Sequence, residues 1–173
     1  MKTTTSRLIL PLLIFAMMVS CLQKQEYPDI PSLKYERFTT LVHPSGYDSA
    51  GVLLLSYTDG DGDLGIAGLD TSSYNFFVTY YQMENGVLKP GTRYNAVTGQ
   101  YDTIFFNNRF YRLAPPGYTG WIKGEIEDTI KPLYDPRSTK TFDTVQYKIY
   151  MVDRAGNYSN TVETPLIIVK NPD

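Results

Sequence analysis

From about residue 50 onward, apolar and polar side chains alternate with a period of two. In DTVQYKIYMVD, 143–153, Val145, Tyr147, Ile149 and Met151 fall on one face and Gln146 and Lys148 on the other. Successive strand residues point to opposite faces, so this pattern predicts a strand with one face in a core. GVLLLSYTD, 51–59, is short and mostly apolar and predicts a more deeply buried strand. YNFFVTYYQM, 74–83, is rich in β-formers and runs into Glu84-Asn85-Gly86 and then Val87-Leu88. Asn-Gly between two such runs predicts a hairpin, because both residues accept positive φ. DTIFF, 102–106, and RFYRL, 109–113, flank Asn107-Asn108 and read either as a second hairpin or as one continuous strand. In WIKGEIED, 121–128, Trp121, Lys123, Glu125 and Glu127 share one face, and Ile122, Gly124 and Ile126 the other. TVETPLIIV, 161–169, predicts the last strand, with Pro165 at an edge or a bulge because it has no amide hydrogen.

No window of helical length outside the first twenty residues keeps an apolar face at spacings of three and four. Prolines and glycines recur between the runs. Several short strands separated by turn signals predict an all-β sandwich.

The first residues, MKTTTSRLILPLLIFAMMVSC, have a different pattern. Lys2 and Arg7 precede an apolar run from Leu8 to Val19, and the small Ser20 precedes Cys21. That order is an export signal, and its apolar run is short for a bilayer span. One reading is a signal cut at some small residue. The other starts from Cys21, the only cysteine, standing where cleavage is expected. MVSC resembles a bacterial lipobox, with Met18 where leucine is usual. The resemblance implies that Cys21 becomes the lipidated first residue and anchors the chain in the outer membrane. The periplasmic and surface faces both stay open, since Glu26 is the only acidic residue close after Cys21. The chain then divides into a signal peptide, 1–20, a lipidated cysteine and tether, 21–32, and a domain, 33–173. LQKQEYPDIPS, 22–32, has two prolines and no periodicity, and reaches at most about 35–40 Å when extended.

Without the leader, the chain keeps 14 basic and 18 acidic residues, a net charge near −4. This disfavours nucleic acid or anionic lipid as the main partner. About 150 residues remain, enough for one domain with a real core. Fifteen tyrosines spread along the chain exclude a disordered tail. No catalytic residue is assigned. His43 is the only histidine and precedes Pro44 beside a turn, and no spacing nominates a nucleophile or an orienting group for it.

The densest chemistry is YTDGDGDLGIAGLD, 57–70. Asp59, Asp61 and Asp63 occupy alternate positions, and Asp70 follows Asp59 by eleven residues. Counted as a calcium loop, Asp59, Asp61 and Asp63 take positions 1, 3 and 5, and the Gly65 carbonyl takes position 7. Leu64 stands at position 6, where an EF-hand needs glycine, Asp70 is shorter than the glutamate of position 12, and no helix flanks the loop. An EF-hand is thus disfavoured, and two readings stay open. One is a looser calcium site on a sandwich loop, since hard cations favour carboxylate and carbonyl oxygens. The other is a solvated acidic turn built from Asp-Gly pairs. Zinc is disfavoured by the lack of soft ligands.

MVDRAGNYSNTVETPLIIV, 151–169, resembles the last two strands of bacterial immunoglobulin-like and fibronectin-III-like domains, with Asp153, Arg154, Ala155, Gly156 and Asn157 as the turn. The resemblance implies an immunoglobulin-like β-sandwich in which GVLLLSYTD and DTVQYKIYMVD are strands B and F. The loop after the first then lies at the same end as the turn after the second. Asp153 would join the aspartate cluster as a further calcium ligand, and Arg154 would offset its charge. Lipobox, tether, YTDGDGDLG and DRAGN-SN together resemble a group of uncharacterised lipoproteins of Bacteroidota, which implies location and fold but no chemistry.

The expected role is a non-enzymatic binding or accessory module for an envelope protein partner in an outer-membrane or cell-surface complex. The alternative is glycan capture for nutrient uptake, with Tyr80, Tyr81, Phe110, Tyr111, Tyr118 and Trp121 as candidate stacking platforms. Core filling is the competing use of those rings. Ser49, Thr103, Thr129 and Thr144 each follow an aspartate and precede an aliphatic residue. These tripeptides resemble the acceptor of Bacteroidota protein O-glycosylation. A threonine before a β-branched residue also suits a strand.

Overall fold

The computed structural model describes residues 26–66, 68, 73–131, 133 and 142–172. The expectations for the leader and for Cys21 lie outside them. The described residues form strands and turns with no helix, so the chain is all-β. None of them makes a helix long and apolar enough to cross a membrane.

One sheet has the order β1-β2-β7, from Ser32–Val42, Asp48–Asp59 and Ile122–Ile130. The other has the order β10-β8-β3-β4, from Ile167–Ile168, Thr144–Met151, Phe76–Glu84 and Val87–Pro90, with β9, Val162–Glu163, also on β8. All these pairings are antiparallel. Period-two alternation turns one face of each sheet inward. Leu53, Leu55 and Tyr57 of β2 and Ile126 and Ile130 of β7 meet Phe76, Val78 and Tyr80 of β3 and Val145, Tyr147, Ile149 and Met151 of β8. Tyr147 is the hub of this core. Phe38 of β1 stacks on it at 5.6 Å, and Tyr80 and Phe106 meet it at 5.9 and 6.2 Å.

The hairpin at Asn85-Gly86 forms as read, with φ of 51° and 78° at the two residues. Three expectations change. The segment 104–113 is neither a hairpin nor a regular strand. It runs along the free edge of β3 through single bridges, Thr79 to Phe105 and Phe76 to Asn108. The amides of Phe106 and Asn108 donate to the Val78 and Phe76 carbonyls, the amides of Tyr80 and Phe76 donate back to Ile104 and Asn108, and asparagine side chains add to this short ladder. Asn107 Oδ1 accepts from the Val78 amide, and Asn75 exchanges two bonds with the Phe110 backbone. The last strand breaks at Pro165 into β9 and β10, and Thr164 spans the gap by accepting the Tyr147 amide at its hydroxyl.

The third change concerns the tether. Residues 27–31, expected to be free linker, lie on the body. The Pro28 carbonyl accepts from the Gly60 amide at 2.8 Å, the Tyr27 ring meets Trp121 edge-on at 5.4 Å, and Pro31 is buried. β1 itself carries no signal in the apolar pattern, because most of its side chains are exposed.

Candidate functional site

β2 delivers Asp59 to the end of the sandwich, fully buried, and the chain then turns back through Gly60-Asp61-Gly62-Asp63. Two features force that turn. The Leu64 amide donates to Asp59 Oδ2 at 2.9 Å, closing the loop on itself. Leu64 then inserts into the core at 0% exposure. Beyond it the Ile66 amide donates to the Phe110 carbonyl, and the amides of Arg112 and Leu113 donate back to Ile66 and Leu64. Gly65 sits at φ +92°, where a Cβ would lie 2.4 Å from the Tyr111 carbonyl oxygen, so only glycine fits this crossing.

The turn after β8 faces this loop. The Asp63 carboxylate accepts from the Ala155 amide at 2.9 Å, which is the proximity that the strand assignment implied. Asp153 is buried and held by Asn157, whose amide and side-chain nitrogen donate to its two oxygens at 2.7 and 2.9 Å. Asp59, Asp63 and Asp153 each offer an oxygen within 4.8 Å of the others. Asp61 stays exposed and accepts from the Asp63 amide. The Gly65 carbonyl accepts from the Arg154 guanidinium at 2.9 Å, with Leu64's at 3.5 Å. Arg154 therefore reaches the loop but bonds its carbonyls. Asp70 lies outside the described residues.

Burial raises the Asp59 carboxyl to about 6, against the Leu64 bond, with Asp61, Asp63 and Asp153 adding repulsion. Burial also raises Asp63, which Asp153 and Asp61 push further and the Ala155 amide and Arg154 oppose. A folded value above the unfolded one means that the folded state holds its proton more tightly. The stabilisation is complete below the unfolded value and is lost as the pH rises through about 6. For Asp59 alone, the rise from 3.8 to about 6 corresponds to at most ~3 kcal/mol. In chelator, the urea midpoint is therefore expected to be higher at about pH 5 than at about pH 7.5, and Asp59→Asn should flatten the difference. A midpoint that instead rises over this interval would contradict the electrostatics.

The glycan candidates do not form one exposed row. Tyr80 is 2% exposed, because its place in β3 turns it inward over Gly91, so it is corrected to a core residue. Its neighbour Tyr81 points the other way, under the Lys148 ammonium at 4.9 Å. Phe110 packs edge-on against Phe76 at 5.0 Å, and Tyr111 is exposed. Tyr118 and Trp121 share a cleft of about 440 Å³, which also takes in Tyr27, Glu26 and Asp29. Of the modification candidates, Thr129 is exposed on β7, while Ser49 on β2, Thr103 in the short strand Gln100–Thr103 and Thr144 on β8 are half-buried. His43 accepts from the Ser45 amide and stacks on Tyr47 at 4.4 Å, within a turn.

One element went unread. β5, Thr92–Asn95, and β6, Gln100–Thr103, form a two-stranded ribbon with no other sheet partner. Register pairs Tyr94 with Tyr101 and Thr92 with Thr103 on one face, and Arg93 with Asp102 and Asn95 with Gln100 on the other. The two tyrosine rings meet edge-on at 5.4 Å yet stay 57% and 71% exposed. The only signal was four-residue alternation on each side of Asn95–Gly99, too short to separate from a loop. Comparison with known proteins finds no matching family model, no matching curated protein and no matching solved structure.

Proposed function

We propose that the chain is a lipid-anchored, non-enzymatic binding module of the bacterial envelope that contacts a protein partner through the β5–β6 ribbon. The exposed tyrosine pair carries this reading. A two-stranded ribbon alone is marginal in water, and this one turns almost none of its side chains into the core. Tyrosine provides a large, stiff contact surface with a polar tip at low entropic cost, which favours recognition. The immunoglobulin-like assignment belongs to the same proposal and draws support from sheet partners β1-β2-β7 and β10-β8-β3-β4.

The three converging carboxylates support a structural rather than a hydrolytic role. Oδ1 of Asp59 and of Asp63 is closed to solvent, so no substrate bond reaches them. The packing of residues 27–31 also shortens the tether. A few residues between Cys21 and Glu26 span roughly 15–20 Å when fully extended. The domain is then held close to the outer membrane by its acidic end, and confinement raises its effective concentration for neighbours there.

Crosslinking followed by affinity purification from native membranes tests the reading. The parent should recover one envelope protein reproducibly, and the double variant Tyr94→Ala, Tyr101→Ala should lose it at least roughly tenfold, as for interface anchors. Parent protein recovered alone, or equal recovery by the variant, would remove the ribbon as the contact. The Tyr118, Trp121 and Tyr27 cleft supports glycan capture as a second reading. In that case Trp121→Ala abolishes retention on envelope glycans and the ribbon variant does not.

A further inference from the structure

We propose that Asp59, Asp63 and Asp153 hold one calcium ion, which fastens the loop after β2 to the turn after β8. The inference stands apart from the tether and the ribbon. One carboxylate oxygen from each residue lies within 4.8 Å of the others. Calcium–oxygen bonds of about 2.3–2.6 Å place oxygens around one ion at separations of up to about 5 Å, so the three fit a single shell.

Acidic clusters on loops are usually solvated and carry no such meaning. Here one oxygen of Asp59 and one of Asp63 are closed to solvent. Asp59 is fully buried, and its Oδ1 has no hydrogen-bond partner among the described residues, while Oδ2 takes the Leu64 amide. Asp63 repeats the arrangement, with Oδ1 buried and unpartnered and Oδ2 on the Ala155 amide. Buried carboxylate oxygens are expected to be paired with a donor or a metal. Arg154 does not fill that place, since its guanidinium bonds the Gly65 and Leu64 carbonyls.

The donor set selects the ion. All three ligands are carboxylates, which suit hard cations, and neither a thiol nor an imidazole is among them. Magnesium keeps several waters in a strict octahedron, whereas calcium accepts irregular shells of carboxylates and carbonyls. Two buried ligand side chains leave little space for a hydrated magnesium. Asn157 fixes both Asp153 oxygens and leaves each a second lone pair for the ion. Three carboxylates fill about half of a shell of six to eight, and loop carbonyls and water complete it. The ion's two positive charges offset most of the cluster's three negative ones.

The test uses the full-length protein purified in detergent, with calcium chloride as titrant. Saturating calcium should raise the melting temperature at neutral pH over the EGTA-treated sample by about 5–10 °C. Magnesium at the same concentration should give less than half of that rise. Terbium should bind in place of calcium and luminesce on tyrosine excitation, through nearby Tyr57, until calcium displaces it. Asp59→Asn and, separately, Asp63→Asn should lose both signals, while exposed Asp61→Asn keeps them. Two cluster variants guard against one failing to fold. No calcium shift in the parent, or a full shift in both cluster variants, would overturn the proposal. So would a parent that calcium leaves unchanged at neutral pH but that acid stabilises, because a shared proton would then account for the unpaired oxygens.

Discussion

Cys21→Ser moves the protein from the membrane fraction to the soluble fraction. The parent should resist an alkaline carbonate wash, and the variant should come off by at least roughly tenfold more. Under the proposed anchoring, each buried methylene contributes about 0.8 kcal/mol, and two acyl chains already give stable attachment. Serine has no thiol to carry the diacylglycerol. A leader left uncut in the variant does not replace the anchor. Its apolar run from Leu8 to Val19 would be roughly 18 Å long as a helix, short of a hydrocarbon core of about 30 Å. Intact mass gives a second readout, with acyl mass on a chain beginning at residue 21 in the parent and none in the variant. A variant that resists the wash as well as the parent, with no acyl mass on either, ends the lipoprotein reading.

Leu64→Ala is the largest single loss expected within the domain, about 3–4 kcal/mol, or a fall of roughly 6–16 °C in melting temperature. Leu64 is completely buried, and it is the residue that inserts the far limb of the acidic loop into the core. Truncation leaves a cavity where the loop can collapse only by giving up the Asp59 to Leu64 bond. Leu64→Met keeps most of the volume and should cost less than about 1.5 kcal/mol. Asp61→Asn, one turn away but exposed, should stay within about 0.5 kcal/mol of the parent. Denaturant melts of the three variants check the order. An alanine variant as stable as the parent would mean that the loop is not anchored through this side chain.

Leu64 also shows how the site was partly legible. Along the chain it counts against a calcium loop, because the EF-hand turn needs glycine at that position. In the fold it is what makes a different acidic loop, pinned by a core side chain instead of flanking helices. The pairing of the loop with Asp153 was legible, because the DRAGN turn resembles that of sandwich domains in which the two connections lie at one pole. The split of the cluster was not. Asp59, Asp61 and Asp63 are equivalent in sequence, yet Asp61 faces solvent, Asp59 is fully buried and Asp63 is half-buried with one oxygen closed off. What separates them is the path of residues 110–113 and of the Asp153–Asn157 turn over the loop, contacts made from up to 92 residues away. Asp128 is a similar case. Alternation puts it on the Ile126 face, but the fold supplies the distant Asn108 side chain at 2.8 Å which, with the neighbouring Thr129 amide, satisfies a buried carboxylate there.

The sequence alone determined the all-β class, the central strands β2, β3, β7 and β8, the turn at Asn85-Gly86 and the shared pole of the aspartate loop and the DRAGN turn, but not β1 or the β5–β6 ribbon. These follow from period-two alternation, from residues that accept positive φ and from chain connectivity, all of which act over short distances. The tertiary structure decided the rest. It laid 27–31 on the body, ran 104–113 along the edge of β3, set Tyr80 inside and Tyr94 and Tyr101 outside, and closed one oxygen each of Asp59 and Asp63 to solvent. Those outcomes depend on which distant segments cover a residue, and burial of that kind leaves no periodic trace in the chain.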